Sequence, residues 1–433
     1  MALLTTVACT GSDPSPRATG TASQTATPVT GGRVTFGVVG GPPTLDPYSP
    51  VATDLTRALV RPIYPSLFRL GPDGEISADL GAEVDAIGRT ARVSLVERRW
   101  SDGDPITARD VVASVRRATP PSGFARVTAR ATGRREVTFR GRTRDWEQTL
   151  ATSTFVLPRG RARPERVGSG PFRIARFVPG LKLELARSTT WDGEPAYLDR
   201  ITVFFIENLD IAVELLDRGR LIAAALPSSV NLDERLEELG LNHAEALGWE
   251  SVRLRFNRAT VTRRGWIALA RKLDREQLES GFLRDDGRIT NTLHPAPCCW
   301  DGPYAHLSVP GGDAPEDLRL AAPAGDQLLD LMQRAIQIDL GRNGIDVEVL
   351  TVPAETLYGA WRSSSPVDAL LERVAGAPSL RDPRPFGSAF ALPLAQVETV
   401  LAWRDGIEGL VVNPTLEGPL WNAQRWFRKP GQI

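Results

Sequence analysis

A strand–helix–strand pattern over residues 318–350 constrains the fold more than any other feature of this chain. Residues 318–321 are apolar, and residues 345–350 alternate apolar with acidic side chains. Between these two runs, the apolar residues of 326–340 recur at helical spacing, and Gly341 and Gly344 can end the helix. Strands joined in this way lie parallel, so the pattern predicts a βαβ unit and an α/β fold.

Short runs of β-branched and aromatic residues predict further strands on both sides of this unit. In the first half, Gly and Asp turns separate them, which favours a mixed sheet. The 433 residues predict two or three domains at about 100–200 residues each. The predicted strands are Arg33–Val39, Arg92–Val96, Glu136–Arg140, Phe172–Phe177, Leu181–Ala186, Arg200–Ile206, Val252–Phe256 and Gly409–Val412.

Charge and missing motifs exclude several classes of function. The 52 basic and 52 acidic side chains cancel, which argues against a nucleic-acid-binding protein. Lysine occurs only at 182, 272 and 429, in no Walker A or Ser-x-x-Lys context. His243, His294 and His306 have no metal-ligand spacing, and no nucleophile elbow or Cys-x-x-Cys occurs. We therefore expect no catalytic residues, no metal and no cofactor.

The N-terminal residues predict an anchor and a tether. A small apolar run ends at Cys9, and a stretch rich in Ser, Thr, Gly, Pro and Ala follows to residue 32. This arrangement resembles a bacterial lipoprotein signal, in which Cys9 would carry the lipid. The alternative is a disordered cytosolic tail. If Cys9 carries the lipid, Cys298 and Cys299 remain, and in an oxidising compartment they would form either a vicinal disulfide or two thiols. Nothing else in the chain is apolar over the ~18 residues of a membrane span.

Four blocks, in order along the chain, resemble the family-5 extracellular solute-binding proteins, the peptide and nickel receptors of ABC importers. The first contains a Leu-Asp-Pro turn, and the third contains Gly-Ser-Gly-Pro-Phe. In the second, Thr107 is predicted to cap a helix whose third residue is Asp110. The blocks cover residues 36–80, 100–114, 167–203 and 254–276.

The resemblance implies an α/β fold of the two-lobed type II periplasmic-binding-protein kind, with mixed sheets flanked by helices and a ligand cleft between the lobes. After the tether at 1–32, lobe I would comprise 33–247 and 388–433, with an extra subdomain at about 48–165. Lobe II would comprise 248–387.

The implied function is that of a monomeric, extracytoplasmic, lipid-anchored receptor that binds a peptide-like or other small polar solute and delivers it to an ABC permease, without covalent chemistry. The alternative is an envelope scaffold or regulator that keeps the fold but has lost transport. Residues 368–383 lack the Trp and the clear Asp with which many relatives hold a peptide amino group, which leaves a free-amine anchor in doubt. Mapped onto this chain, the cleft residues would be Gly40, Thr44, Trp249, Arg255, Asn257, Trp361, Glu372 and Asp382.

Overall fold

A computed structural model of the chain provides the architecture. It describes residues 17–19, 27–49, 52–118, 127–143, 145–153, 155–160, 167–282, 287–289, 312–324, 326–353, 367–375 and 390–430.

The described residues form twenty strands and eight α-helices. The strands are β1 (Arg17–Thr19), β2 (Arg33–Val39), β3 (Phe68–Leu70), β4 (Ile76–Ala78), β5 (Gly81–Ile87), β6 (Thr90–Leu95), β7 (Val127–Ala131), β8 (Glu136–Gly141), β9 (Phe172–Val178), β10 (Lys182–Arg187), β11 (Arg200–Ile206), β12 (Ala223–Pro227), β13 (Asn242–Phe256), β14 (Gly287–Ile289), β15 (Asp317–Pro323), β16 (Asp346–Val352), β17 (Ala369–Ala375), β18 (Ala391–Trp403), β19 (Ile407–Glu408) and β20 (Phe427–Arg428). The helices are α1 (Asp54–Val60), α2 (Ala108–Arg117), α3 (Trp146–Ser153), α4 (Leu209–Asp217), α5 (Leu232–Glu238), α6 (Arg263–Lys272), α7 (Arg275–Phe282) and α8 (Gln327–Arg342).

Two long antiparallel strands, β13 and β18, connect the two halves of the molecule. They lie side by side in the middle of a sheet whose order is β16-β15-β17-β13-β18-β12-β2-β11-β10-β9. Both are longer than the usual strand of 5–6 residues, with 15 and 13 residues. Their pairing shifts register between Leu247 and Ser251, and again between Val252 and Arg253. The backbone link between the halves is therefore a strand pair that is irregular near its middle.

Separate apolar cores lie in the two halves. We call the half around Val34, Phe36 and Trp426 the first lobe, and the half around Leu254, Trp266 and Ile336 the second lobe. Side chains of a strand point alternately to its two faces, and in β2 every second residue, Val34, Phe36 and Val38, is buried in the core of the first lobe. On its other face, Gly37 has no room for a side chain, since a Cβ there would lie 2.6 Å from Leu221 Cδ1.

A third core belongs to a subdomain of the first lobe. Its sheet has the order β5-β6-β8-β7, and α2 and α3 contribute to the same core. Trp100 and Trp146 are buried there. The predicted capping box is confirmed: the backbone N–H of Thr107 donates to Asp110 Oδ2 at 2.9 Å, which fixes the start of α2.

The βαβ prediction is confirmed, while two local predictions are wrong. β15 and β16 are parallel, and α8 between them is capped by Asp326, whose carboxylate accepts from Leu329 N at 3.1 Å. The strand predicted at 409–412 is irregular backbone; Gly409 has φ +84 and lies so close to Arg425 O that a Cβ would approach it to 2.1 Å. Within the predicted tether, β1 pairs with residues 243–245 of β13.

Candidate functional site

Between the lobes, residues Gly248–Glu250 of β13 leave the ladder with β18. Two hydrogen bonds hold this segment in place. The side-chain amide of Gln396 donates to Gly248 O at 2.7 Å, and the backbone N–H of Trp249 donates to Pro414 O at 2.8 Å. Gln396 is fully buried. The irregular segment is thus fixed by specific partners, and it brings Glu250 to the place where the lobes meet.

Arg373 of β17 connects the lobes through polar contacts. Its guanidinium donates to Asp326 Oδ2 at 2.5 Å, to Glu250 Oε1 at 3.2 Å and to Ser228 O at 2.9 Å. Ser228 follows β12 in the first lobe, whereas Asp326 caps α8 in the second. The Ser229 hydroxyl lies 3.3 Å from Gln327 Oε1 and adds a second contact across the boundary. We call Ser228, Ser229, Glu250, Asp326, Gln327 and Arg373 the inter-lobe cluster.

Burial and charge shift the pKa values within this cluster in linked ways. Burial raises the pKa of Glu250, and Asp326 and Asp54 add to that rise while Arg373 opposes it. Burial alone would lower the pKa of Arg373, but the charges of Asp326 and Glu250 together raise it above the usual value. About a third of the Glu250 side chain remains exposed. The site therefore combines a permanent cation with a carboxylate that solvent can reach.

Arg255 and Glu372, two of the predicted cleft residues, contact each other in the second lobe. Glu372 on β17 lies directly opposite Arg253 on β13. Its carboxylate pairs with Arg253 at 2.9 Å and with Arg255 NH2 at 3.2 Å. Glu372 is buried, while Arg255 is partly exposed. Because both carboxylate oxygens of Glu372 are already engaged, Arg255 is the more accessible of the two to a solute.

Trp249 packs into the core of the subdomain rather than standing free. Its side chain is 4% exposed and belongs to the same cluster as Trp100 and Leu416. The β3–β4 turn also approaches it: a Cβ on Gly74, which has φ +83, would lie 3.4 Å from Trp249 Cζ2. Trp249 therefore packs β13 against the core of the subdomain.

Asn257, Gly40 and Thr44 are placed at turns. The Asn257 amide donates to Val367 O at 3.1 Å and its oxygen accepts from Ala259 N at 3.0 Å, which ties the end of β13 to the start of β17. Gly40 ends β2 with φ +80, and Thr44 Oγ1 accepts from Asp46 N at 3.1 Å. Asn257 lies eight residues beyond Trp249 along β13, up to about 26 Å at the rise of an extended strand. Among the predicted residues that the structure describes, Arg255 and Glu372 contact each other, while Asn257 belongs to one turn and Gly40 and Thr44 to another.

Some predicted residues lie outside the described part of the chain: Trp361, Asp382, Cys9, Cys298 and Cys299. Conversely, the sequence prediction missed Glu250, Arg373 and Ser228. Glu250 could have been found, because it is an acidic residue beside Trp249 in the predicted crossover. Arg373 gave no local signal, since its partner Ser228 lies 145 residues away.

Within the described ranges, no three His, Cys, Asp or Glu side chains are arranged to hold a metal ion. The helices among these residues are all too short or too polar to cross a bilayer.

The long paired crossover strands, the two separate cores and the polar contacts between the lobes define a two-lobed binding protein of the periplasmic type. Residues 78–390 match the family model of bacterial extracellular solute-binding proteins, family 5. The chain belongs to this family, as its sequence blocks predicted.

Solved structures share the fold over nearly the whole chain. The oligopeptide-binding protein AppA of Bacillus subtilis, in complex with a nonapeptide, aligns with a TM-score of 0.78 at 17% identity and covers 93% of this chain and 100% of its own. NikZ of Campylobacter jejuni, in complex with Ni(L-His), aligns with a TM-score of 0.73 at 14% identity, covering 92% and 99%. At these identities the likeness establishes the two-lobed fold.

A curated relative matches over a shorter stretch. The peptidoglycan-binding protein YepA of Agrobacterium fabrum is 27% identical over 201 residues, which is 39% of this chain. The match spans 31% of the length of that relative.

Proposed function

We propose that the protein is the solute receptor of an ABC importer, which binds a peptide-like or other small polar solute between its lobes and delivers it to a membrane permease. Family membership supports the receptor class. The observation that carries the proposal is the inter-lobe cluster. Arg373 of the second lobe donates to Ser228 of the first, beside the irregular segment Gly248–Glu250 of β13. A solute bound beside the inter-lobe cluster can contact polar groups of both lobes at the same time.

The cluster gives a physical basis for coupling solute binding to closure. A ligand shifts a two-state protein only by its differential affinity for the states. A solute that contacts Ser229 of the first lobe and Gln327 of the second together gains both contacts only when the lobes are closed. The permease would then recognise the closed arrangement. Binding without covalent chemistry is part of this proposal.

The charges of the cluster favour a solute that presents a cationic amine. The pKa of Glu250 is raised, chiefly by burial and further by the negative charges of Asp326 and Asp54. A cation placed at the exposed part of Glu250 would relieve this unfavourable charge and return the pKa toward its ordinary value. Glu250 would thereby replace the acidic residue whose absence from 368–383 left an amine anchor in doubt.

Native mass spectrometry of the purified chain, together with a thermal-shift screen, tests the receptor function. The screen contains di- to pentapeptides, amino-acid derivatives, sugars, metal chelates and, because of the name of the curated relative, peptidoglycan fragments. A solute that binds only the folded protein raises its melting temperature in a saturable way. A co-purified mass or such a shift supports the receptor. Neither result across the panel would favour the scaffold function, in which the fold is kept without transport.

Lipid anchoring and an extracytoplasmic location complete the proposal. Cys9 follows a small apolar run and precedes a polar tether, which supports attachment of lipid there. Cell fractionation of the wild-type and Cys9→Ser proteins tests it: the wild type should be found with the membrane and the variant in the released fraction. Recovery of both in the same fraction would contradict the anchor. Light scattering of the released form tests the monomeric state.

A further inference from the structure

A groove lined by arginines lies on the subdomain of the first lobe, between α2 and β7. Its volume is ≈ 280 Å³. Its floor is formed by Val112, Ala113, Ala129 and Ala131, and the guanidinium-bearing side chains of Arg109, Arg116, Arg130 and Arg159 line it. All four arginines are exposed. A small apolar floor is thus surrounded by four positive charges.

These charges have no negative counterpart in the groove. Among the residues that the structure describes, none of the four arginines forms an ion pair. Asp110 is close in sequence, but it is buried and its carboxylate accepts hydrogen bonds from Thr107 N, Thr107 Oγ1 and Arg159 N. The chain as a whole has a formal net charge of zero, so four neighbouring cations are a local excess.

We infer that this groove binds an extended acidic peptide segment of a partner protein. Guanidinium groups pair with carboxylates through two parallel hydrogen bonds. Arginine therefore suits carboxylate recognition better than lysine, whose ammonium group acts as a point charge. Arg109 and Arg116 are seven residues apart on α2, about 10 Å along the helix axis. A ligand that engages both needs negative groups separated by a similar distance, which a single small anion does not have.

The apolar floor favours a peptide over other polyanions. A polyphosphate carries charge on every unit and has no apolar surface to cover Val112 and the alanines. An extended peptide with acidic residues at alternate positions presents carboxylates on one side and small apolar side chains on the other. β7 is also the terminal strand of its sheet order, and strands at such positions are the ones that receive an added peptide. This groove is separate from the inter-lobe cluster, so the inference does not depend on the receptor function.

Fluorescence anisotropy of the full-length chain tests the inference. The probe is a labelled peptide of alternating Glu and Ala, about ten residues and 33 Å long when extended. The matched peptide of alternating Gln and Ala is the control. We expect saturable binding of the acidic peptide that weakens as salt is raised, because exposed charges are screened. The double variant R109S/R116S should weaken it at least about tenfold, equivalent to 1.4 kcal/mol.

The variant R263S/R342S serves as the control for net charge, since it removes two exposed arginines from the second lobe. It should bind the acidic peptide as the wild type does. Equal losses in both variants would show general charge attraction and overturn the site. Binding of polyphosphate or of phosphatidylglycerol vesicles in preference to the acidic peptide would also overturn it, as would no binding at low salt. Melting temperatures of both variants confirm that they are folded.

Discussion

Arg373 of the second lobe donates to the carbonyl oxygen of Ser228 in the first lobe at 2.9 Å and to Glu250 of β13 at 3.2 Å. It also donates to Asp326, so that one guanidinium contacts three segments that lie 47, 123 and 145 residues from it in sequence. This geometry makes a single charged side chain responsible for several of the contacts between the lobes.

Replacing Arg373 by Gln should destabilise the protein by about 2 kcal/mol, because Asp326 and Glu250 lose their cation in a partly buried site. The lobes should also separate, which X-ray scattering would detect as a larger radius of gyration. The control is Arg218→Gln, since Arg218 forms an exposed pair with Glu214 on α4 at 2.7 Å. Exposed pairs contribute about 0–1 kcal/mol. Equal effects of the two variants on denaturation and scattering would show that Arg373 does not hold the lobes together.

Asp79 should make the stability of the subdomain dependent on acid pH. Burial opposes its ionisation, but Arg69 at 3.3 Å and Arg98 at 2.6 Å outweigh this and lower the pKa of Asp79 below the ordinary 3.8. A lowered pKa stabilises the fold above the unfolded-state value, and this stability is lost as the pH falls toward the folded-state value. We expect Asp79→Asn to cost about 3 kcal/mol at pH 7.

Urea denaturation at several pH values measures this effect. The difference between wild type and Asp79→Asn should shrink as the pH falls below about 4. Asp85→Asn is the control, since Asp85 is exposed on β5. A difference that stays constant from pH 7 to pH 3 would contradict the role of the Asp79 charge.

Trp249 should act mainly as a structural residue. It is 4% exposed in the subdomain core, so Trp249→Ala should cost about 3–5 kcal/mol of unfolding free energy, as large-to-small core substitutions do. Trp249→Phe should cost less, since it keeps an aromatic ring. Guanidinium denaturation measures both. A small cost for Ala together with lost solute affinity would instead make Trp249 the ligand-contacting residue that the sequence predicted.

Local sequence patterns predict the core strands and helices of this molecule but not the contacts between its lobes. The alternation in β2 and the spacing in α8 are local, so Val34, Phe36 and Ile336 were recognisable as core. β13 was predicted only over its last five residues, because Gly248 interrupts the strand pattern where β13 leaves its ladder. The pairing of Arg373 with Ser228 arises from the meeting of distant strands, which no local period encodes.

Glu250 should make stability decrease as the pH rises. Its pKa is raised above the ordinary 4.5, chiefly by burial. A raised pKa means that the folded protein binds this proton more tightly, so the contribution is fully present below the unfolded-state value and is lost as the pH rises through the folded-state value. Relative to Glu250→Gln, the wild type should therefore lose unfolding free energy from about pH 4 upward. Thermal melts over this range test the sign, and a gap between the two proteins that widens in favour of wild type would contradict it.

Glu372 separates a structural role from a ligand-binding role most clearly. Its carboxylate is buried and pairs with Arg253 and Arg255. Glu372→Gln removes the anion that Arg253 and Arg255 share, so it should cost about 3 kcal/mol. Arg255→Gln should cost less, because Arg255 is 30% exposed and Arg253 still neutralises Glu372.

Denaturation and solute titration of the same two variants distinguish these roles. If Glu372 only orders the two arginines, Glu372→Gln lowers stability more than affinity. Arg255→Gln should then weaken the binding of that solute by about tenfold with little change in stability, as expected for the loss of a charge-assisted hydrogen bond of about 1.5 kcal/mol. The opposite order, with affinity lost in Glu372→Gln and unchanged in Arg255→Gln, would place the solute on the carboxylate itself.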